Sequence, residues 1–160
     1  MEYLPYLLAV AIGVIAGLRT MTAPAAVAWA AYLHCGGLTL AATPLAFMGS
    51  VWAVGAFTLL ALLELVADQL PSTPSRKVPL QFGARLATGA LCGAAIGAAH
   101  SMLVPCLIAS IVGAVIGTYG GAAARAALAK AFGRDLPAAL IEDAVAIGGA
   151  LLIVCHIARP

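Results

Sequence analysis

The chain has 160 residues, 64% of them hydrophobic types and only 9% charged, with a formal net charge of +2. Soluble domains carry about 25% charged residues, and eight basic plus six acidic side chains cannot cover a water-soluble body of this length. No basic run matches a phosphate backbone, so no nucleic-acid partner is expected. What remains is one integral membrane domain over 1–160, all-α, with the lipid bilayer as its surroundings.

The N-terminal MEYLPYLLAV has Glu2 and no positive flank, so the first apolar run is expected to stay as a span rather than leave as a signal peptide. A span needs about 20 mostly apolar residues. The first apolar stretch covers 4–33 and meets Arg19 and Thr20 on the way. As one helix it would be about 45 Å long, more than a bilayer needs. Pro24 offers a break, because it lacks an N–H and clashes with the preceding turn. A first helix broken between Arg19 and Pro24 is expected, either kinked or folded into a re-entrant hairpin. Further spans are expected over 44–70, 82–99, 103–124 (with the helix running on towards 131) and 137–157. That makes a bundle of about five spans.

Lys and Arg mark one side of this bundle. Arg76 and Lys77 lie between the second and third spans, and Arg125, Lys130 and Arg134 between the fourth and fifth. By the positive-inside rule these loops face the cytoplasm, which puts the N-terminus of a five-span chain inside. A hairpin at Arg19 would make six and move the N-terminus out. Gly89, Gly93 and Gly97, then Gly113, Gly117 and Gly121, follow the small-xxx-small spacing that lets helices pack closely within a bundle or across a homodimer.

The charges inside apolar segments carry the functional question, since such residues usually turn inward and pair. Glu64 and Asp68 are four apart and share a helix face. Glu142 and Asp143 open the last span, and Arg85 the third. These four carboxylates can meet Arg76, Arg85 and Arg125 at one depth. Arg19 stands apart from them unless the first helix breaks. It can then hold an anion or pair with Glu64 or Asp68. Three uses compete: salt bridges that fix the bundle, ion or proton coupling by the carboxylates, and a magnesium-type site acting on a lipid phosphate. The loop PSTPSRKVP is stiffened by three prolines and presents Arg76 either to headgroups or to the carboxylates. A short echo, Gly-x-Arg-x-x-Thr-small, occurs at 17–23 and again at 83–89, and reads as a faint duplication or as chance.

Cys35, Cys92, Cys106 and Cys155 make no Cys-x-x-Cys pair, and His34, His100 and His156 are scattered, so neither zinc nor redox chemistry is indicated. No nucleotide loop, dinucleotide fingerprint or hydrolase elbow is present, so no cofactor and no catalytic residue is assigned.

The blocks GLRTMTAPAAVAWAA (17–31), ELVADQLPSTPSRKVPLQFGARLATGALCGAAIGA (64–98) and DLPAALIEDAVAIGGALLIV (135–154) resemble an uncharacterised bacterial membrane-protein family, domain of unknown function 4126. The resemblance covers nearly the whole chain. It implies a small multi-span protein of the bacterial inner membrane and brings no activity, substrate or catalytic residue with it. The reading the charges favour is a small transporter or channel for a solute or ion. Glu64, Asp68, Glu142 and Asp143 would couple a proton or ion, with Arg19, Arg76, Arg85 and Arg125 pairing with them or holding an anion. A salt-bridged structural protein and a metal-dependent lipid-phosphate enzyme are the alternatives.

Overall fold

The computed structural model describes residues 3–35, 38–68 and 78–157. Among them the chain is all helix, in six α-helices: α1 (Leu4–Leu18), α2 (Thr22–Tyr32), α3 (Val51–Ala67), α4 (Pro79–Ala99), α5 (Leu103–Phe132) and α6 (Asp135–Ile157). A short 3-10 turn over Ala46–Gly49 leads into α3, whose first turn is capped by the Ser50 hydroxyl accepting from the Ala53 amide at 3.1 Å. α5 stops at Gly133, which takes the left-handed conformation that ends helices (φ 66°). α6 opens with Asp135 in its first turn, where the helix dipole favours an acid.

Helices α4, α5 and α6 are long and apolar enough to cross a membrane, and α1 and α3 are shorter apolar helices. The 21 residues of α4 and 23 of α6 make rods of about 30–35 Å, against a hydrocarbon layer of about 30 Å. The outward faces carry Leu59, Leu62, Leu63 and Val66 of α3, Val112 and Ile116 of α5, and Leu151 and Leu152 of α6, all exposed. An apolar outer surface on this scale belongs against lipid.

α5 is the strut on which α1 and α4 pack. The packing is backbone against backbone. A Cβ added at Gly113 would overlap the Val10 carbonyl of α1, and one at Gly117 the Val14 carbonyl. A Cβ at Gly13 would overlap the Ser110 carbonyl, and one at Gly93 the Ser110 side chain. Lipid tails are as apolar as leucine, so such close approach and its dispersion contacts supply the attraction that water supplies elsewhere. The Ser110 hydroxyl donates to the Gly89 carbonyl at 2.7 Å and ties α5 to α4.

These contacts also fix directions. Val10 meets Gly113 and Val14 meets Gly117, so α1 and α5 run parallel. Ile15 lies at Gly149 while Arg19 reaches Asp143, so α1 runs antiparallel to α6. The amides before α2 meet Glu64 and Trp29 meets Thr58, so α2 runs antiparallel to α3. Asp68 of α3 meets α6 near its start and α3 returns along it, so α2 shares the direction of α6. The chain therefore reverses between α1 and α2. The first apolar segment is a hairpin, and it does not provide the single crossing that a count of five gave it.

The break is not at Pro24. It lies at Arg19, whose backbone is extended (φ −138°, ψ 118°), and Pro24 sits in the first turn of α2. A proline there is harmless, since first-turn amides have no helical partner to lose. Beyond α2 the connection to α3 turns Leu38, Leu40 and Met48 into the core beside Val27 and Ala31.

Gly117→Leu is expected to lower the stability of the bundle by about 1–3 kcal/mol or more, because the new side chain must push α1 off α5. Gly120→Leu, where a Cβ meets nothing within 4 Å, is expected to be tolerated. Thermal unfolding of both variants in detergent checks the contrast.

Candidate functional site

The reversal after α1 leaves hydrogen-bonding groups that a continuous helix would have satisfied. In such a helix the Met21 amide would donate to the Gly17 carbonyl. Instead, the Thr20 and Met21 amides both donate to the carboxylate of Glu64, each at 2.7 Å. On the other side of the break, Arg85 Nη1 donates to the carbonyls of Gly17 and Leu18 at 2.9 and 2.8 Å. A negative side chain from α3 caps the helix start and a positive one from α4 caps the helix end. Each sign suits the dipole it meets. Arg85 and Glu64 also approach each other, at 3.9 Å.

Arg19, the residue at the break, is fully buried. Its guanidinium is clasped between Asp68 of α3 and Asp143 of α6, with Nη1 on the first and Nη2 on the second. Asp68 in turn lies 3.9 Å from Arg125 Nη1 and gives its backbone carbonyl to Arg125 Nη2 at 3.3 Å. Arg125 also reaches Glu142 at 3.5 Å and Asp135 at 2.6 Å. The side chain of Asp135 is 62% exposed. The charges thus alternate along a ladder, Asp143–Arg19–Asp68–Arg125–Asp135, from the interior to the surface at one end of the bundle. Arg85 is six residues into α4 and Arg125 seven from the end of α5, so the cluster lies about 10 Å in from the helix ends.

Apart from exposed Asp135, four buried or half-buried carboxylates (Glu64, Asp68, Glu142, Asp143) face three guanidiniums (Arg19, Arg85, Arg125) among the described residues. Arg76 lies outside the described residues, as does the proline-rich loop up to residue 77; its last two residues, Val78 and Pro79, open α4. The structure brings together Arg19, Glu64, Asp68, Arg85, Arg125, Glu142 and Asp143, the other charged residues expected at the site. Arg19 is no outlier. It is the centre, because the helix that would have carried it away ends there. The two echoed stretches are not equivalent elements, since Arg19 is extended and Arg85 helical. They meet instead, Arg85 binding the carbonyls of the first stretch.

Asp135 is the member that sequence reading passed over. Its signal was an acid opening a helix ten residues after Arg125. The backbone amides of Thr20 and Met21 had no signal, because every residue carries an amide. Among the described residues no group of three or more His, Cys, Asp or Glu is placed to hold a metal ion. The carboxylates point to arginines and amides rather than to one centre, which gives the magnesium reading no geometric support. Two buried polar atoms at the break, Arg19 Nε and the Thr22 hydroxyl, have no hydrogen-bond partner among the described residues.

Comparison with protein-family models, with curated proteins and with solved structures finds no match to this chain.

Arg19→Met would leave Asp68 and Asp143 buried without their shared guanidinium. Removing one partner of a buried ion pair costs about 3–5 kcal/mol. Adding Asp68→Asn and Asp143→Asn to Arg19→Met is expected to restore more than half of the lost stability. Unfolding midpoints in lipid nanodiscs read both steps.

Proposed function

We propose that this chain is a small multi-span protein of a bacterial inner membrane that moves a small solute or ion, with the cluster at its broken first segment taking up a proton or cation as it does so. The observation that carries the reading is the ladder of alternating charge. It links a fully buried Arg19 to an exposed Asp135, and among the described residues four buried or half-buried carboxylates face three guanidiniums. A surplus negative charge at low dielectric demands a counter-charge, and a proton or small cation arriving along the ladder supplies it. Broken helices that expose backbone ends to charged groups are the usual setting for ion and substrate sites in transporters. The resemblance to domain of unknown function 4126 agrees with the bacterial membrane setting.

The charged end of the bundle is assigned to the cytoplasm, since Arg76 and Lys77 fall between α3 and α4, and Lys130 and Arg134 close to the turn between α5 and α6. α1 runs towards that end and α6 away from it, so Leu4 at the start of α1 and Ile157 at the end of α6 lie on the opposite side. This replaces the cytoplasmic N-terminus that a five-span chain would have had. A homo-oligomer draws no support from Gly93, Gly113 and Gly117, whose faces are used inside the bundle.

A second reading rests on the pairing itself. Each carboxylate of the cluster has a cationic or amide partner, as a purely mechanical clasp would require. Asp143→Asn separates the two. It leaves three carboxylates facing three guanidiniums among the described residues, so a coupled carrier loses flux while the clasp keeps its fold. In proteoliposomes carrying a pH gradient and a panel of ions and metabolites, the expected result is wild-type uptake that falls at least about tenfold per folded protein in the variant, with folding retained because Arg19 keeps Asp68. Equal flux in both proteins, or none in either, supports the clasp.

A further inference from the structure

Arg125 stands on α5 between two sets of acceptors. Outward, one edge of its guanidinium grips Asp135: Nε donates to Oδ1 at 3.0 Å and Nη2 to Oδ2 at 2.6 Å. This is the two-point geometry that matches a guanidinium to a carboxylate. Inward, Nη1 lies 3.5 Å from Glu142 Oε2 and 3.9 Å from Asp68 Oδ2, and Nη2 donates to the Asp68 carbonyl at 3.3 Å. The two inner carboxylates are roughly 1 Å beyond a full charge-assisted bond. Arginine has a long, jointed stem and a charge it never loses. A small swing of its head therefore trades the outer grip for the inner one.

The two positions differ in what they leave for a visiting charge. The side chain of Asp135 is 62% exposed, those of Asp68 and Glu142 14% and 6%. On Asp135, Arg125 places its charge at the wet end, where water and salt screen it from the interior. Drawn in to Asp68 and Glu142, it acts at lower dielectric, where a charge counts for more. It then supplies the counter-charge that a proton or small cation would otherwise bring. The other groups facing these acids keep their places in either position. Arg19 stays between Asp68 and Asp143, and Glu64 stays with Arg85 and the Thr20 and Met21 amides.

We propose that Arg125 is a built-in competitor for the proton or cation, and that Asp135 holds it off the site. With Arg125 drawn in, the four inner carboxylates face three guanidiniums among the described residues. With Arg125 out on Asp135 they face two, Arg19 and Arg85, and the site is charged to receive. Uptake of a proton and the inward swing of Arg125 are then alternatives, so the swing inward displaces what has been bound. Asp135 is a positioning residue, since it acts through Arg125. The inference rests on the reading of the cluster as a site for a proton or small cation, and adds what regulates that site.

The test follows the infrared band of protonated carboxyl groups in the full chain, in nanodiscs, as pH is varied. Asp135→Asn is expected to lower the proton affinity of the cluster about tenfold, because Arg125 turns inward, and Arg125→Gln to raise it about tenfold. Fixed charges alone would shift the titration in the same two directions, but their effects would add. The competitor gives a different result: in an Arg125→Gln background, Asp135→Asn is expected to change the affinity by less than about twofold. Additive effects overturn the proposal, as does a wild-type cluster in which no carboxyl titrates while the protein is folded. Should Arg125→Gln fold poorly, a crystal structure of Asp135→Asn decides. Arg125 bonded to Asp68 or Glu142 at about 2.7–2.9 Å supports the competitor, and Arg125 left in place overturns it. Solute uptake by the same proteins in proteoliposomes is read alongside. A non-additive cycle in a protein that moves nothing strikes the carrier reading and leaves the competitor standing.

Discussion

In an apolar medium a backbone amide and a backbone carbonyl must each find a partner. The chain gives up the helical bond between the Met21 amide and the Gly17 carbonyl, and both ends then need replacing. Glu64 takes the amides of Thr20 and Met21, and Arg85 takes the carbonyls of Gly17 and Leu18. Because the two replacements come from α3 and α4, the reversal is possible only when those helices stand beside it. The same groups are charged, so one exchange of hydrogen bonds also sets the electrostatics of the whole end of the bundle.

The rest of the structure arranges itself around that exchange. Close glycine contacts bring α1 and α5 together and so present the end of α1 to Arg85 and Arg125. Arg19, freed from the helix, bridges α3 to α6 through two aspartates. Arg125 carries the connection outwards to Asp135. α3 makes few apolar contacts with the bundle core and is held at its C-terminal end largely by charge, which is why a cleft remains along its length. The charge cluster and the cleft therefore share one structural cause: α3 packs on α2 and the 3-10 turn but is tied to α6 through the ion pairs of Arg19 rather than through packed side chains.

Much of this was legible in the residues. Composition excludes a water-soluble body, and the apolar runs locate α4, α5 and α6 to within a few residues, whereas α3 begins at Val51 rather than at 44, after a 3-10 turn. The rule that intramembrane charges pair gathers Glu64, Asp68, Glu142, Asp143, Arg85 and Arg125 into one cluster. The reversal was harder to see, since a hairpin and a kink use the same residues. Pro24 drew attention because proline is the usual breaker, yet its position in a first turn made it innocuous. The side chains that permit the break, Glu64 and Arg85, lie 43 and 68 residues from the groups they cap. No local pattern records such a distance. The role of Arg19 depended on the reversal and could not be fixed before it.

The most direct test is hydrogen exchange at two amides. In lipid nanodiscs the Thr20 and Met21 amides are predicted to exchange as slowly as those inside α2, because the Glu64 carboxylate holds them. In Glu64→Leu both are predicted to exchange fast while the amides of α4 and α5 stay protected. Fast exchange at Thr20 and Met21 in the wild-type protein, or slow exchange that survives the loss of Glu64, would contradict the account.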